Sequence, residues 1–244
     1  MNPDIEAIFL DVGNTLRIVI ENPVVGAASR DELMRLVGAS GDVGEFFKML
    51  EGRWDKYREW SFANLLEASE TELWTKWLLP DYPADKIAAM HGRLTRLWRD
   101  RDGQRVPRPD AKSTILELHR RGYKIGIIAN TITETEIPEW LEEDGLTKYI
   151  DAMVLSSIFK HRKPGTEIYH EAARRIGVEP ARCMYVGDNP SRDVPGTRKA
   201  GFGMIIVLMD PEKLKKEPPT GEGVPDRIIH NCSDLLDIFP PRNH

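Results

Sequence analysis

The chain has too few cysteines for a disulfide framework: two in 244 residues, Cys183 and Cys232, with no zinc-ligand spacing either. That scarcity favours a reducing cytoplasm. Cys183 opens an apolar run and reads as packing. Long hydrophobic runs are absent as well. No stretch reaches the roughly 18 apolar residues of a membrane-spanning helix. The first residues, Met1-Asn2-Pro3-Asp4-Ile5-Glu6, lack the basic-then-apolar layout of a secretion signal. Nor is there a basic excess: the net charge of −5 gives no general attraction to nucleic acid or to a membrane surface. Lys213, Lys215 and Lys216, just before Pro218-Pro219, read as a solvated loop. Repeats and low-complexity tracts are missing too. What remains, 41% hydrophobic and 30% charged residues, is ordinary for a globular protein, expected as a monomer or homodimer.

Short apolar runs ended by turn residues mark buried parallel strands. They recur at Ala7–Leu10, Lys124–Ile128, Ala152–Leu155, Met184–Val186, Met204–Leu208 and Arg227–Ile229. Helical patterns over Ala111–Arg121, Ile137–Asp144, Glu167–Ile176 and Asp193–Ala200 lie between them, and Cys232–Phe239 reads as a last helix. Strands alternating with helices predict an α/β fold, a Rossmann-like parallel sheet with helices on both faces. From 18 to 104 the pattern is helical alone, with helices over about 30–37, 43–60, 71–79 and 84–101. Ser29–Glu32 and Ser69–Glu72 have the form of capping boxes. This stretch holds five of the six tryptophans and is expected to be a helical bundle inserted into a core of residues 1–17 and 105–244. The run Trp54-Asp55-Lys56-Tyr57-Arg58-Glu59-Trp60 reads as an amphipathic helix with buried aromatics, although it could also touch a substrate anion.

Two of the strands end in acids. Ala7-Ile8-Phe9-Leu10 leads into Asp11, and Met184-Tyr185-Val186-Gly187 into Asp188, with Asp193 five residues on. Ligands of open α/β sheets bind at the carboxyl ends of strands, so Asp11, Asp188 and Asp193 can converge there and hold a divalent cation through oxygen. For Asp193 an N-cap of a helix beginning near Val194 is compatible with that role.

These segments resemble the haloacid dehalogenase superfamily, whose members are mostly phosphate-ester hydrolases acting through an aspartate. Its first motif is matched by Asp11-Val12-Gly13-Asn14-Thr15, its second by the strand into Ala129-Asn130-Thr131, its third by Lys163-Pro164, and its fourth by Gly187-Asp188 with Asp193. The matching regions are about 4–20 and 105–240. The resemblance implies a helical cap after the first motif. It makes Asp11 the nucleophile and Lys163 the cation that neutralises it. Mg²⁺ would lie on Asp11, Asp188 and the Gly13 carbonyl, and Asp193 would order a metal-bound water or Lys163. Asn130 and Thr131 are candidates for holding the phosphoryl group and Arg17 for reaching the ligand, whereas Lys160 and Arg162 read as surface charges.

Two positions depart from the family's phosphatases. Gly13 stands where they carry a second aspartate, and a missing general acid costs roughly 10²–10⁴ in rate. Ala129 stands where they carry a hydroxyl, a donor worth about 10²–10³. Three readings follow. The first is an Mg²⁺-dependent hydrolase of a small phosphorylated metabolite with an altered general acid. The second is a hydrolase of carbon–halogen or carbon–phosphorus bonds, and the third a catalytically weak binder of phosphorylated ligands.

Overall fold

The computed structural model describes residues 4–242. Its strands are β1 (Ala7–Leu10), β2 (Arg17–Ile20), β3 (Gln104–Pro107), β4 (Lys124–Ala129), β5 (Ala152–Leu155), β6 (Cys183–Gly187), β7 (Met204–Leu208) and β8 (Arg227–Ile229). Six of them form one sheet in the order β5-β4-β1-β6-β7-β8. Every neighbouring pair in it is parallel. β1 is fully buried, as a strand covered on both faces must be. It lies between β4 and β6, so their three carboxyl ends open onto one edge, where the strand order reverses. Helices Ala111–Arg120 and Glu136–Glu143 cover one face, packing Ile115, Leu118 and Trp140 beneath Ile8 and Leu10. Thr166–Ile176 covers the other, with Tyr169 against Phe9 and Tyr185.

Residues 23–100 are helical and enclose a hydrophobic cluster of their own, including Leu33, Phe47, Tyr57, Trp74 and Trp98. Trp74 Nε1 donates to Thr95 Oγ1 at 2.8 Å, which satisfies its polar edge inside that cluster. The stretch joins the sheet through β2 and β3, an antiparallel ribbon absent from the sequence reading. A second attachment comes from Leu65–Glu67. Leu66 forms an antiparallel bridge with His161, and backbone bonds run from Glu67 N to Lys160 O (2.7 Å) and from Arg162 N to Leu65 O (3.1 Å).

Several expectations need correction. The first helix of the insertion starts at Pro23, not 30, capped by Asn22 through its bond from Val25 N. Ser29 is therefore a buried residue inside a helix and no cap. Gly26 lets that first turn lie against the Arg101 carbonyl, which a Cβ would approach to 2.8 Å. The Ser69 capping box does form, and its helix passes into a π-helical turn at Leu73–Leu78. The 84–101 segment divides into Ala84–Ala88 and His91–Asp100. Helix Pro190–Lys199 is capped by Asn189 rather than by Asp193. Lys213, Lys215 and Lys216 are exposed as expected, but on a short helix, Pro211–Lys216.

Candidate active site

The turn after β1 is built from backbone bonds. Arg17 N donates to Val12 O (2.9 Å) and Asn14 N to Arg17 O (2.7 Å), with Asn14 in the left-handed region at φ 55°. This turn holds Asp11 buried at the strand end, where Val12 N donates to its Oδ1 at 2.8 Å. Its other oxygen faces two cations: Lys163 Nζ at 2.9 Å and Arg192 Nη2 at 3.0 Å. Burial pulls the Asp11 carboxyl above the ordinary range, against the opposing pull of Lys163 and Arg192.

Lys163 is wholly buried, and each of its groups is fixed. Asn130, just past β4, clamps its peptide from both sides. Asn130 Nδ2 donates to Lys163 O (2.9 Å), and Lys163 N donates to Asn130 Oδ1 (2.8 Å). The ammonium reaches Asp11, Asp193 Oδ1 at 3.4 Å and the hydroxyl of Tyr185. Burial alone would raise Asp193; Lys163 and Arg192 hold it below the usual carboxylate range. Two glycines make this packing possible. A Cβ on Gly187 would collide with the Asp193 carboxylate, and one on Gly196 would lie 2.6 Å from the Pro164 carbonyl oxygen.

Asp188 stands at the mouth, accepting from Asn14 Nδ2 at 3.1 Å. Asp11, Asp188 and Asp193 each offer an oxygen within 4.8 Å of the others. That is an all-oxygen donor set of the type a hard divalent cation takes, and these residues fit Mg²⁺. Arg192 was missed by the sequence reading. Its guanidinium lies within this cluster, donating to Asp11 Oδ2, to Asp188 Oδ1 at 3.1 Å and to both oxygens of Asp193. Burial would lower its pKa, but Asp193 and Asp11 push it well above its usual value. As a basic residue in a helix's first turn it carries no sequence signal.

Of the other expected site residues, Gly13 is exposed beside Asp11, and a Cβ there would meet nothing within 4 Å. Thr131 is buried, accepting at its hydroxyl from Thr133 N. Arg17 donates to Glu136 Oε1 (2.9 Å) and the Arg105 carbonyl (2.7 Å), lies 5.3 Å from the Trp140 ring centre, and lines a small cavity with Gly13 and Asn130. Arg162 is not a surface charge. It is only 9% exposed, because the Leu65–Glu67 bridge folds the insertion over it. Lys160 instead pairs with Glu72 on the half-exposed rim.

Next to the cluster, sharing Arg192 with it, lies a cavity of about 670 Å³ bordered by Asn130, Thr131 and Arg192 on the sheet side and by Trp54, Tyr57, Arg58 and Phe62 of helix Val43–Asn64 as its roof. The amphipathic reading of that helix holds for Tyr57, which is buried, and its aromatic and basic run also borders this cavity.

The chain is similar to known hydrolases of this architecture. A glyceraldehyde 3-phosphate phosphatase of Methanothermobacter thermautotrophicus is 31% identical over 54% of the chain and 58% of its own length. One from Methanopyrus kandleri is 33% identical over 54% and 56%. The chain thus spans a little over half the length of these curated relatives. A phosphoserine phosphatase of Thermus thermophilus is 27% identical over 95% of the chain and 97% of that protein. In fold it matches a 2-haloacid dehalogenase from Pseudomonas syringae with a TM-score of 0.70 at 20% identity, covering 96% of this chain and 97% of that one. A HAD phosphatase from Thermococcus onnurineus gives 0.63 at 22%, covering 98% and 100%. The family model of haloacid dehalogenase-like hydrolases matches residues 5–201, and the chain belongs to that family.

Proposed function

We propose that the chain is an Mg²⁺-dependent hydrolase of small phosphorylated metabolites in which Asp11 is the nucleophile. The observation that carries this reading is the meeting of Asp11 with Lys163, Asp188 and Asp193 at the carboxyl ends of β1 and β6. Asp11 would attack phosphorus, breaking the bond to the leaving oxygen. Water would then attack the same phosphorus, releasing inorganic phosphate and regenerating the carboxylate. Lys163 neutralises Asp11, which must approach a phosphate of like charge, and Asp193 and Asn130 keep it there. Mg²⁺ on Asp11, Asp188 and the Gly13 carbonyl would supply positive charge to the phosphoryl oxygens. Residues 18–104 act as a cap that excludes water from the cavity. Two buried free thiols agree with a cytoplasmic setting.

Gly13 supplies no acid, so the reading favours esters with good leaving groups or a proton from the substrate itself. The test is a panel of phosphorylated metabolites assayed with and without Mg²⁺ beside Asp11→Asn. Turnover that persists through both chelation and Asp11→Asn would sink it.

A further inference from the structure

The roof of the cavity has more positive charge than one phosphate needs. Six arginines line it against two carboxylates, Glu67 and Asp102. Four of the six are committed elsewhere. Arg99 pairs with Glu136, and Arg101 with Asp102 and the Trp98 carbonyl. Arg105 donates to the carbonyls of Arg99 and Gly103, and Arg192 to the three aspartates. Arg162 is engaged at Nη1 alone, by Ser61 Oγ and by a longer pair with Glu67, and Arg58 has no ion pair among the described residues.

We infer that Arg162 and Arg58 form a second anion subsite, so that the substrate is a small phosphate ester carrying a further anionic group, a carboxylate or a second phosphoryl. The inference rests on the phosphate-ester reading above and specifies its substrate class.

The two guanidinium groups flank one ring. Arg162 Cζ lies 4.3 Å and Arg58 Cζ 5.1 Å from the centre of Phe62. Phe62 is a large apolar side chain left 44% exposed, and this platform gives that exposure a purpose. Stacking on a ring fixes the plane of a guanidinium and leaves its N–H edges to address an oxyanion. Arg162 is nine-tenths buried, yet its Nε has no hydrogen-bond partner. Its Nη1 is taken by Ser61 Oγ, and the Glu67 carboxylate is 3.7 Å away, beyond hydrogen-bond length. Glu67 is itself engaged by Tyr57 and by Ser156 Oγ at 3.0 Å. Arg58 makes no ion pair among the described residues and lies over the Trp54 and Phe62 rings. Arg162 and Arg58 share the cavity wall with Arg192, whose Nη2 donates to Asp11 Oδ2 at 3.0 Å, so a ligand in that cavity lies between the pair and the carboxylate cluster.

The experiment compares propyl phosphate, phosphoglycolate and propane-1,3-diyl bisphosphate, with kcat and KM measured separately. A hydrogen bond to a charged group predicts a KM about tenfold or more lower for one of the two doubly anionic substrates. Which one identifies the anion. Arg58→Ala, on an exposed helix face, should abolish that preference. Arg162→Lys keeps the charge without the fork and should reduce it. In parallel, calorimetry compares phosphonoacetate with propylphosphonate in Mg²⁺, a comparison that needs no turnover. Silence on all three esters would end the phosphatase reading, whereas tighter phosphonoacetate binding lost in Arg58→Ala would still establish the subsite. Equal affinity for both phosphonates with no preference for either doubly anionic ester, or a preference surviving both substitutions, overturns it. A purely structural tether at Arg162 would lower the melting temperature of Arg162→Lys and leave the preference intact.

Discussion

Gly13→Asp is the substitution that most directly probes how protons are handled at this site. The backbone admits it without strain. Position 13 has no positive φ, it is exposed, and a Cβ would meet nothing within 4 Å. A surface change of this type alters stability by about 0.5 kcal/mol or less, so folding should survive. Gly13 borders a small cavity of about 230 Å³ together with Arg17, Arg99 and Arg105. Those guanidiniums would favour the ionised form of a new carboxylate and blunt it as an acid. A full general acid is worth roughly 10²–10⁴ in rate. Discounted for its arginine neighbours, the expected gain is at least about tenfold in kcat on an alkyl phosphate, or about 1.4 kcal/mol of barrier. p-Nitrophenyl phosphate should gain less, because its phenolate leaves unprotonated. Steady-state assays of both substrates, with Mg²⁺ affinity and melting temperature measured on the same preparation, make the comparison. Equal gains on both substrates would point to altered metal binding. A wild type already fast on alkyl phosphates and unmoved by the change would refute the missing-acid argument.

Four further outcomes are expected. Asp188→Ala should weaken Mg²⁺ binding at least about tenfold in calorimetry, and unchanged affinity removes Asp188 from the ligand set. Arg192→Ala takes one of two cations, the only one that reaches Asp188 among the described residues, out of three carboxylates whose oxygens lie within 4.8 Å. The unmasked repulsion is on the order of 3 kcal/mol per pair at an effective dielectric of about 20. The variant should therefore melt lower in chelator and bind Mg²⁺ more tightly than wild type, and equal or weaker binding contradicts this. Burial raises the Glu67 carboxyl above its unfolded value, so the folded state binds more protons and loses stability as pH rises through that window. The Tm of Glu67→Gln relative to wild type should hence climb as pH rises above the ordinary glutamate range, and a relative fall would reverse the assignment. Hydrogen exchange with and without vanadate should change at Arg17–Ile20 and Gln104–Pro107, the ribbon joining insertion to sheet. An unaltered pattern with vanadate bound means a fixed insertion.

Where local pattern suffices, the sequence already shows the architecture. β1, β5, β7 and β8 fall on the expected apolar runs, and β4 and β6 extend them by one or two residues. Buried parallel strands advertise themselves by composition alone. β2 was invisible because Arg17-Ile18-Val19-Ile20 is a strand only through pairing with Gln104–Pro107, far along the chain. In the site, Asp11, Lys163, Asp188 and Asp193 were readable from motif and position. Arg192 and Arg162 were not, since a basic residue beside an acid or another basic residue looks solvated until the fold buries it. Asn130 stands out in the sequence as a candidate phosphoryl contact, and the structure adds a clamp by its amide on the Lys163 peptide. Such a clamp depends on two loops meeting, which no single stretch of sequence records.

The bridge between Leu66 and His161 bears on modularity. Insertions of this kind invite transplantation, because the ribbon at Arg17–Ile20 and Gln104–Pro107 offers two clean splice points. Here a graft at those points would fail to carry over cleanly. Three residues of the insertion dock on the loop that ends in Lys163, so the donor helices would bring their own register for that loop. A chimaera that keeps Leu65–Glu67 from this chain should retain its lysine geometry, and one that replaces them would have to rebuild it.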